Sequence, residues 1–312
     1  MNIIRNILVI YSILISSLLL SQQNKQPYLI ILGTVQDGGS PHMGCKKKCC
    51  ELLFDNPIAS RKVVSIGIVD SEAKKTWIIE ATPDFPIQAK ILNKNISFNH
   101  QEMPDGIFLS HAHIGHYAGL MYLGKEAINS KNVPVYAMTR MKGFLIKNGP
   151  WNQLVNIQNI QITNINNEQK IKLSNSLSII PFLVPHRDEF SETVGFKIIG
   201  PNKSILFIPD IDKWNIWNKD IVNEIKKCDL ALIDGTFYDH AEVNYRDISQ
   251  IPHPFVIETM EYFSKQEAKT KSKISFIHLN HTNPLLNSQS KEHQNVINSG
   301  FKVAKFNQKV KL

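Results

Sequence analysis

Short apolar runs separated by turn residues recur along most of the chain, and they predict a protein rich in β-strands. Runs of about four to eight apolar or β-branched residues, bounded by polar, Gly or Pro positions, are typical of buried strands. The predicted strands are Tyr28–Leu32, Val63–Asp70, Thr76–Glu80, Ile107–Ser110, Val133–Ala137, Leu177–Val184, Val194–Ile199, Ser204–Ile208, Leu230–Ile233, Ile274–Leu279 and Lys302–Phe306. They form an N-terminal group and a C-terminal group, the second beginning at Leu177.

Helical spacing of apolar positions occurs between these strands. The predicted helices are Pro86–Leu92, Gly119–Asn129, Arg140–Asn148, Trp214–Lys227 and Phe255–Thr270. Two groups of strands with interspersed helices predict an α+β fold, a four-layer αββα sandwich in which two sheets face each other and helices cover the outer faces. No Gly/Ser/Pro-rich linker or internal repeat divides the chain, so we predict a single domain over residues 25–312.

The first 21 residues differ from the rest of the chain. A positive charge at Arg5 precedes the uncharged apolar run Ile7–Leu20, and polar residues follow Ser21. This run is shorter than the roughly 20 residues that span a bilayer. We interpret residues 1–21 as a signal peptide, which predicts an exported protein, periplasmic or secreted, with no stable membrane span after cleavage. An uncleaved membrane anchor is the alternative.

Composition changes this interpretation little. The 312 residues are 43% hydrophobic and 20% charged, as in ordinary globular proteins. The formal net charge of +8 mildly favours an anionic ligand or surface, and we expect a small anionic substrate. No basic stretch is interleaved with aromatic residues, so nucleic-acid binding is not predicted. The oligomeric state, including a homodimer, stays open.

Candidate metal ligands lie in the loop that follows the predicted strand Ile107–Ser110. His111, His113 and His116 fall within six residues, although the whole chain has only 11 histidines. Neutral imidazole is a preferred ligand of zinc and similar metals. A histidine-rich loop without ligands is the alternative, and the clustering favours a metal site.

Four further polar residues come directly after or at the end of apolar runs: His186, Asp210, Asp234 and His278. Each of them, taken singly, is more often a structural polar residue than a ligand. The ends of strands on one rim of a sheet are where rigid scaffolds present functional side chains. The recurrence of a buried strand followed by His or Asp therefore predicts that these residues converge.

This series resembles the metallo-β-lactamase family, in which a His-x-His-x-Asp-His loop is followed by a His, a bridging Asp and a final His. The resemblance implies the metallo-β-lactamase fold and a hydrolase that uses a metal-activated water. It implies these active-site metal ligands: His111, His113, His116, His186, Asp210 and His278. The loop Asp of the family is Gly115 here. We therefore expect the second metal to be weak or absent, or to take a ligand from the substrate.

The four cysteines are Cys45, Cys49, Cys50 and Cys228. Adjacent Cys49 and Cys50 are poorly placed to bridge each other, and a cluster of three leaves an odd thiol. A metal site accounts for such a cluster, with free or disulfide-bonded thiols as the alternative. Cys228 stands alone in an apolar context and is predicted to be a small buried residue.

The Gly-rich segment Gly33–Pro41 and the three cysteines after it resemble the subgroup that contains pyrroloquinoline quinone synthesis protein B and the cyclic phosphodiesterase of phosphonate breakdown. The phosphodiesterase implies a structural zinc held by Cys45, Cys49, Cys50 and His281. We thus expect one structural Zn²⁺ and one or two in the active site, where Mn²⁺ or Fe²⁺ is an alternative. Lys46–Lys48 would favour ionised thiols.

His253 stands where relatives place a histidine that faces the substrate, and it is the candidate catalytic acid. A surface-loop histidine without function is the alternative. Asp37, Asp84 and Asp234 are candidates for orienting ligand histidines. For Asp84, which follows a proline, a simple turn role is the alternative.

Three functions follow from these residues. The first is an exported metal-dependent hydrolase of a phosphodiester or another small anionic ester. The second is an iron-dependent oxidative enzyme of quinone cofactor synthesis, similar to the quinone-synthesis protein. The third, which Gly115 would allow, is a non-catalytic binding protein with a degenerate metal site.

Overall fold

The computed structural model describes residues 26–56, 61–99, 101–243 and 251–312. The predicted signal peptide, residues 1–21, lies outside the described residues, and so does residue 25, the first residue of the predicted domain. Among the described residues there is no helix whose length and hydrophobicity would let it cross a bilayer.

Two seven-stranded sheets carry the fold. The first has the strand order β14-β1-β2-β3-β4-β5-β6, formed by β1 Tyr28–Gly33, β2 Ser65–Asp70, β3 Lys75–Ile79, β4 Gly106–Phe108, β5 Val133–Ala137, β6 Ile160–Asn164 and β14 Lys309–Lys311. The second has the order β13-β12-β11-β10-β9-β8-β7, formed by β7 Ile171–Lys172, β8 Ser178–Leu183, β9 Val194–Ile199, β10 Ser204–Ile208, β11 Leu230–Asp234, β12 Ile274–Ile277 and β13 Lys302–Val303.

Helices flank the sheets. The α-helices are α1 Lys48–Asp55, α2 Phe85–Lys94, α3 Ile114–Tyr117, α4 Thr139–Lys147, α5 Trp151–Asn156, α6 Ile221–Lys226, α7 Val256–Tyr262, α8 Ala268–Lys271 and α9 Lys291–Asn298. Short 3-10 helices cover Ala118–Leu123, Trp214–Ile216, His240–Val243 and Pro284–Leu286. Helix α9 begins at Ser290, whose hydroxyl accepts a hydrogen bond from the His293 amide at 3.0 Å.

Three apolar layers hold these elements together. Between the sheets, Phe108 of β4 meets the edge of the Phe196 ring of β9, with the centroids 5.9 Å apart. Outside the first sheet, Ile78 packs in one cluster with residues of α2 and α4. Outside the second sheet, Ile233 packs with residues of α6, α7 and α9. This arrangement confirms the predicted αββα sandwich, because each sheet buries both faces.

The predicted strands are all present with small shifts at their ends, whereas three predicted helices are wrong in extent. In place of the helix predicted over Gly119–Asn129 there is a 3-10 helix at Ala118–Leu123, where the Gly119 amide donates to the Ala81 carbonyl at 2.8 Å instead of to a helical partner. The helix predicted over Trp214–Lys227 restarts at Asp220, whose side chain caps α6. The third, Phe255–Thr270, is divided into α7 and α8.

Parallel pairing of strands brings the carboxyl ends that precede the candidate ligands to one rim of each sheet. Strands β3, β4 and β5 are parallel in the first sheet, and β10, β11, β12 and β13 are parallel in the second. The carboxyl ends of these parallel strands meet at one edge of each sheet. The two edges adjoin, since His116, after β4, lies 3.0 Å from Asp210, after β10, and His278, after β12, lies 3.3 Å from the same Asp210.

Candidate metal centre

The histidine loop leaves β4 and places its imidazoles at this rim. His111 and His116 are buried, and His113 is half-buried. His116 lies within α3, and its backbone amide donates a hydrogen bond to the His113 carbonyl at 3.0 Å. This turn directs the His116 side chain inward. The loop thus presents three rings to one small volume.

A first group of donor atoms surrounds one point. His111 Nε2 lies 2.8 Å from His113 Nδ1 and 3.9 Å from Asp210 Oδ2. His186 Nε2 lies 3.8 Å from Asp210 Oδ1. Two ligands about 2.05 Å from a tetrahedral zinc are about 3.3 Å apart, so these separations are of the right size for one shared cation.

A second group shares Asp210 with the first. His116 Nε2 lies 3.0 Å from Asp210 Oδ2, and His278 Nε2 lies 3.3 Å from the same oxygen. Asp37 Oδ1 lies 2.9 Å from His116 Nε2 and 3.1 Å from His278 Nε2. His278 has a φ of 64°, an uncommon left-handed conformation for a side chain of this size. Four donor atoms therefore form a second compact set.

The remaining nitrogens of four rings are turned away from these groups and held by other side chains. His111 Nδ1 lies 2.8 Å from Ser110 Oγ, His113 Nε2 lies 3.1 Å from Glu189 Oε2, His186 Nδ1 lies 2.9 Å from Asp212 Oδ1, and His278 Nδ1 lies 2.8 Å from Thr236 Oγ1. Such partners fix the tautomer and orientation of ligand histidines.

Three buried side-chain atoms of the groups have no hydrogen bond of normal geometry within the described part of the chain: His116 Nδ1, His186 Nε2 and Asp210 Oδ2. Leaving such atoms unsatisfied costs about 1–3 kcal/mol each. Burial also lowers the pKa of His111 well below its usual value, which keeps this ring neutral, as a metal ligand must be. At His116, Asp37 and Glu80 outweigh burial and raise the pKa, so this ring would have to lose its proton to bind a cation. A cation at the centre would satisfy His186 Nε2 and Asp210 Oδ2, so the residues fit a metal cofactor.

Asp37 and Asp210 stay ionised among the rings. Burial alone would raise the pKa of the Asp210 carboxyl, but His278, His116 and His111 outweigh that effect and hold the pKa well below its usual value. Burial would also raise the pKa of Asp37, but His116 and, to a smaller extent, His278 outweigh it and lower that pKa well below its usual value. Both groups thus offer anionic oxygens for a cation.

The candidate acid His253 lies beside this centre. Its Nδ1 is 2.8 Å from Asp234 Oδ2 and 3.8 Å from Asp210 Oδ1. Burial would lower the pKa of His253, but Asp234 outweighs it and raises the pKa to about 9. Asp234 therefore holds a histidine, the type of role predicted for it.

A cavity of about 300 Å³ opens next to His253. The described residues that line it include Arg187, Asn280 and His281 but no carboxylate. Arg187, which directly follows His186, supplies a cationic side chain at this cavity, and its Nη1 also lies 3.9 Å from Glu189 Oε1. A cationic side chain at this place suits an anion.

The cysteine cluster forms a separate site at the start of α1, which contains Cys49 and Cys50. Cys49 Sγ is 3.9 Å from both Cys45 Sγ and Cys50 Sγ. His281 Nδ1 is 3.7 Å from Cys49 Sγ and 3.4 Å from Cys50 Sγ. Sulfur atoms about 2.3 Å from a tetrahedral zinc are about 3.8 Å apart, so the four side chains match one such ion. The thiols are free, which disfavours the disulfide alternative.

The expected effect of the lysines on these thiols is only partly present. The pKa of Cys45 is lowered, with the Lys47 amide and the Lys47 charge acting against burial. Burial together with Cys50 and Cys45 raises the pKa of Cys49 to about 12. Burial lowers the pKa of His281 to about 4, so its ring is neutral. Since the lysines do not ionise Cys49, a cation would have to do so.

The structure brings all ten predicted metal-site residues into these two clusters, and their ligand roles stay predictions. Asp84 is elsewhere: its carboxylate accepts from the Val63 amide at 2.9 Å and precedes α2, so the turn role is the correct one. Cys228 is buried in the apolar layer outside the second sheet, as predicted.

Sequence reasoning assigned Asp37 only an orienting role and did not single out Glu189 or Asp212. Asp37 lies in a Gly-rich turn, where an aspartate is ordinary, and no spacing connects it to the histidine loop. Asp212, two residues after Asp210 beyond a strand end, offered a weak signal. Glu189 offered none.

Comparisons with known proteins identify the family and the fold. The family model described as "Beta-lactamase superfamily domain" matches residues 76–301. A "Coenzyme PQQ synthesis protein B" of Xanthomonas campestris pv. campestris (strain B100) is 23% identical over 299 residues, covering 88% of this chain and 97% of that protein.

Solved structures are similar in fold. The crystal structure of "Zn(2+)-bound PqqB from Methylobacterium extorquens" has a TM-score of 0.74 at 20% identity, covering 91% of this chain and 100% of that one. A "New Diphosphatase from the PhnP Family" has a TM-score of 0.62 at 20% identity, covering 92% and 97%. These likenesses support the fold and not a particular substrate.

Proposed function

The chain belongs to the β-lactamase superfamily and has a PqqB-like metallo-β-lactamase fold, and from that premise we propose that it is a metal-dependent hydrolase of a phosphodiester or another small anionic ester. The observation that carries the proposal is the convergence of His111, His113 and His186 on one point, with the carboxylate of Asp210 3.9 Å from His111 and 3.8 Å from His186, close to a cavity that Arg187 lines. Three histidine nitrogens do not fill the coordination of a zinc ion, and Arg187 supplies a cationic side chain for an anion.

His111 Nε2, His113 Nδ1 and His186 Nε2 would hold the cation. The carboxylate of Asp210, 3.9 Å from His111 Nε2 and 3.8 Å from His186 Nε2, would be shared with the second group. When bound, a divalent cation lowers the pKa of a coordinated water to about 7 and polarises the oxygen of a substrate. The protein's own contribution is orientation. Ser110, Glu189 and Asp212 fix the outward nitrogens of the three rings, so that the ligand nitrogens are held in place before substrate binds.

His253 is the proton donor in this proposal. Its Nδ1 is engaged by Asp234, which leaves Nε2 as the free nitrogen of the ring and favours the protonated state. A protonated imidazole facing the cavity can give its proton to the oxygen of the leaving alcohol. Arg187, whose side chain is 56% exposed, would attract the anionic group of the substrate.

In the same proposal, the cysteine cluster holds a structural zinc. Three sulfurs and one imidazole nitrogen make a complete tetrahedral set, which leaves no position for substrate. The active centre would hold Zn²⁺, with Mn²⁺ or Fe²⁺ as the alternatives, because imidazole and carboxylate ligands accept all three ions.

The test uses the purified protein with Zn²⁺, Mn²⁺ or Fe²⁺. We expect hydrolysis of bis(p-nitrophenyl) phosphate that is lost on removal of the active-centre metal and restored by adding it, and little hydrolysis of the neutral ester p-nitrophenyl acetate. Arg187→Ala should raise KM for the phosphodiester with little change in kcat. A fully loaded protein that hydrolyses no anionic ester would contradict the proposal.

A second candidate function rests on the likeness to the PQQ synthesis proteins over 88% of the chain. In that case the same ligands would hold iron, and the reaction would be an oxidation in quinone cofactor synthesis. Iron in the protein as isolated and consumption of dioxygen with a quinone precursor would favour it over hydrolysis. A tightly held metal at the cysteines alone, with neither activity, would indicate a binding protein.

We also propose that the protein is exported, on the strength of residues 1–21 alone. Sequencing the N-terminus of the mature protein tests this. Cleavage after about residue 21 is expected for a signal peptide, and an intact Met1 on protein recovered from the cytoplasm would contradict export.

A further inference from the structure

The second donor group contains a carboxylate that comes from a distant loop. Asp37 follows β1, 79 residues before His116 in the chain, yet its Oδ1 lies 2.9 Å from His116 Nε2. With Asp210 and His278 these residues place four donor atoms within 4.8 Å of one another. This is the number of ligands that a tetrahedral cation takes.

The nitrogens that Asp37 contacts distinguish a ligand from an orienting partner. An orienting group binds the ring nitrogen that points away from the metal, as Thr236 does at His278 Nδ1. Asp37 instead contacts Nε2 of both His116 and His278, the same atoms that face Asp210 Oδ2 at 3.0 and 3.3 Å. It therefore lies on the side where a shared cation would sit.

Gly115 leaves the space that this carboxylate occupies. A Cβ atom built on Gly115 would lie 2.6 Å from Asp37 Cβ and 2.7 Å from both Cα and Cγ of Asp37. Contacts this short do not occur between real side chains, so residue 115 has to be glycine while Asp37 is in place. Conversely, a side chain on residue 115 would start 2.7 Å from the carboxylate carbon of Asp37 and would push that side chain away.

We propose that Asp37 is a ligand of a second metal ion, together with His116, Asp210 and His278, and that it supplies from the loop after β1 the carboxylate that position 115 lacks. The second site is then complete, contrary to the expectation that Gly115 weakens or removes it. The proposal shares with the proposed function only the premise that the centre binds metal, and it holds for hydrolysis and oxidation alike.

The experiment counts metal ions without any activity assay. Wild type and variants are loaded with Zn²⁺ alone, separated from free metal by gel filtration and analysed by mass spectrometry, and thermal unfolding checks that each variant is folded. Asp37→Ala should retain one ion fewer per chain than wild type. Its affinity for that ion should fall by more than about 100-fold, since losing even an orienting partner costs about 10- to 100-fold.

Two substitutions at position 115 make the test specific. Gly115→Ala should also lose the ion, because its methyl group displaces Asp37, whereas Gly143→Ala, whose Cβ would meet nothing within 4 Å, is the matched control and should retain it. The exchange Asp37→Gly with Gly115→Asp should restore the wild-type count. The proposal is overturned if Asp37→Ala and wild type hold equal numbers of ions, or if the exchange restores nothing. A correct metal count without ester hydrolysis would refute only the proposed function.

Discussion

The two candidate metal clusters are close in space and opposite in design. The cysteine cluster takes three of its four side chains from residues 45–50 and has just enough donors for one closed site. The active-centre cluster draws side chains from the ends of β1, β4, β8, β10 and β12, and it has more donors than one ion needs. The first is local and complete, and the second exists only once both sheets are formed.

This difference teaches which cluster can react. At the active centre, four ring nitrogens are held by other side chains, and a cavity opens beside His253. At the cysteine cluster the four donor atoms face one another, which leaves a bound ion no position for water or substrate. A substitution in the active-centre cluster should therefore change the catalytic rate, whereas a substitution in the cysteine cluster should change the stability of the fold.

The strongest test of this division is His113→Ala. We expect the rate of phosphodiester hydrolysis to fall by more than about 100-fold, because a lost ligand exceeds the effect of a lost orienting partner. The melting temperature of the metal-free protein should hardly change, since His113 is only half-buried. Exposed His240→Ala is the matched control. Equal losses of activity in the two variants would show that the first donor group takes no part in hydrolysis.

A second test separates proton donation from metal binding within the active centre. His253→Gln should reduce the rate by about 100-fold for a substrate with an alkyl alcohol as leaving group, the usual size of a general acid effect. The loss should be much smaller for a nitrophenol leaving group, which needs no proton. Metal content, measured in parallel, should equal that of wild type. A loss independent of the leaving group would assign His253 another role.

Cys45→Ser tests the other side of the comparison. Loss of a structural ion is expected to lower the melting temperature by about 5–10 °C, since about 1 kcal/mol corresponds to about 2–4 °C in a domain of this size. The hydrolytic rate per folded molecule should be retained. Met43→Ser, at a position that is 91% exposed, is the control. If Cys45→Ser lost activity while it kept its melting temperature, the roles of the clusters would be reversed.

The smallest expected effect concerns an orienting carboxylate. Glu189→Gln weakens the hydrogen bond to His113 Nε2, and its side chain is 47% exposed, so we expect only about a 10-fold loss in affinity for the first metal. Titration of the metal-free protein with Zn²⁺ measures this, with exposed Glu126→Gln as the control. An unchanged affinity would show that Glu189 does not position His113.

The strands were the part of the fold that local pattern predicted best, and short helices were the part it predicted worst. A strand such as Val194–Ile199 is marked by β-branched and apolar residues whatever it pairs with. The ends of helices depend on contacts that no local pattern contains, as the bond between the Gly119 amide and the Ala81 carbonyl illustrates. The same pattern also missed α9, in which only His293 and Val296 are buried.

By itself the sequence determined the αββα architecture, the histidine loop and the series of strand ends that carry His or Asp, because strand periodicity and ligand chemistry are properties of individual residues and their spacing. Only the tertiary structure decided which ring nitrogen faces the centre and which carboxylate reaches it. In the sequence Gly115 indicated only a missing ligand and Asp37 only a candidate orienting residue, and the close approach of their two loops relates one to the other. That relation depends on distances of a few ångströms between segments far apart in sequence, which only packing sets.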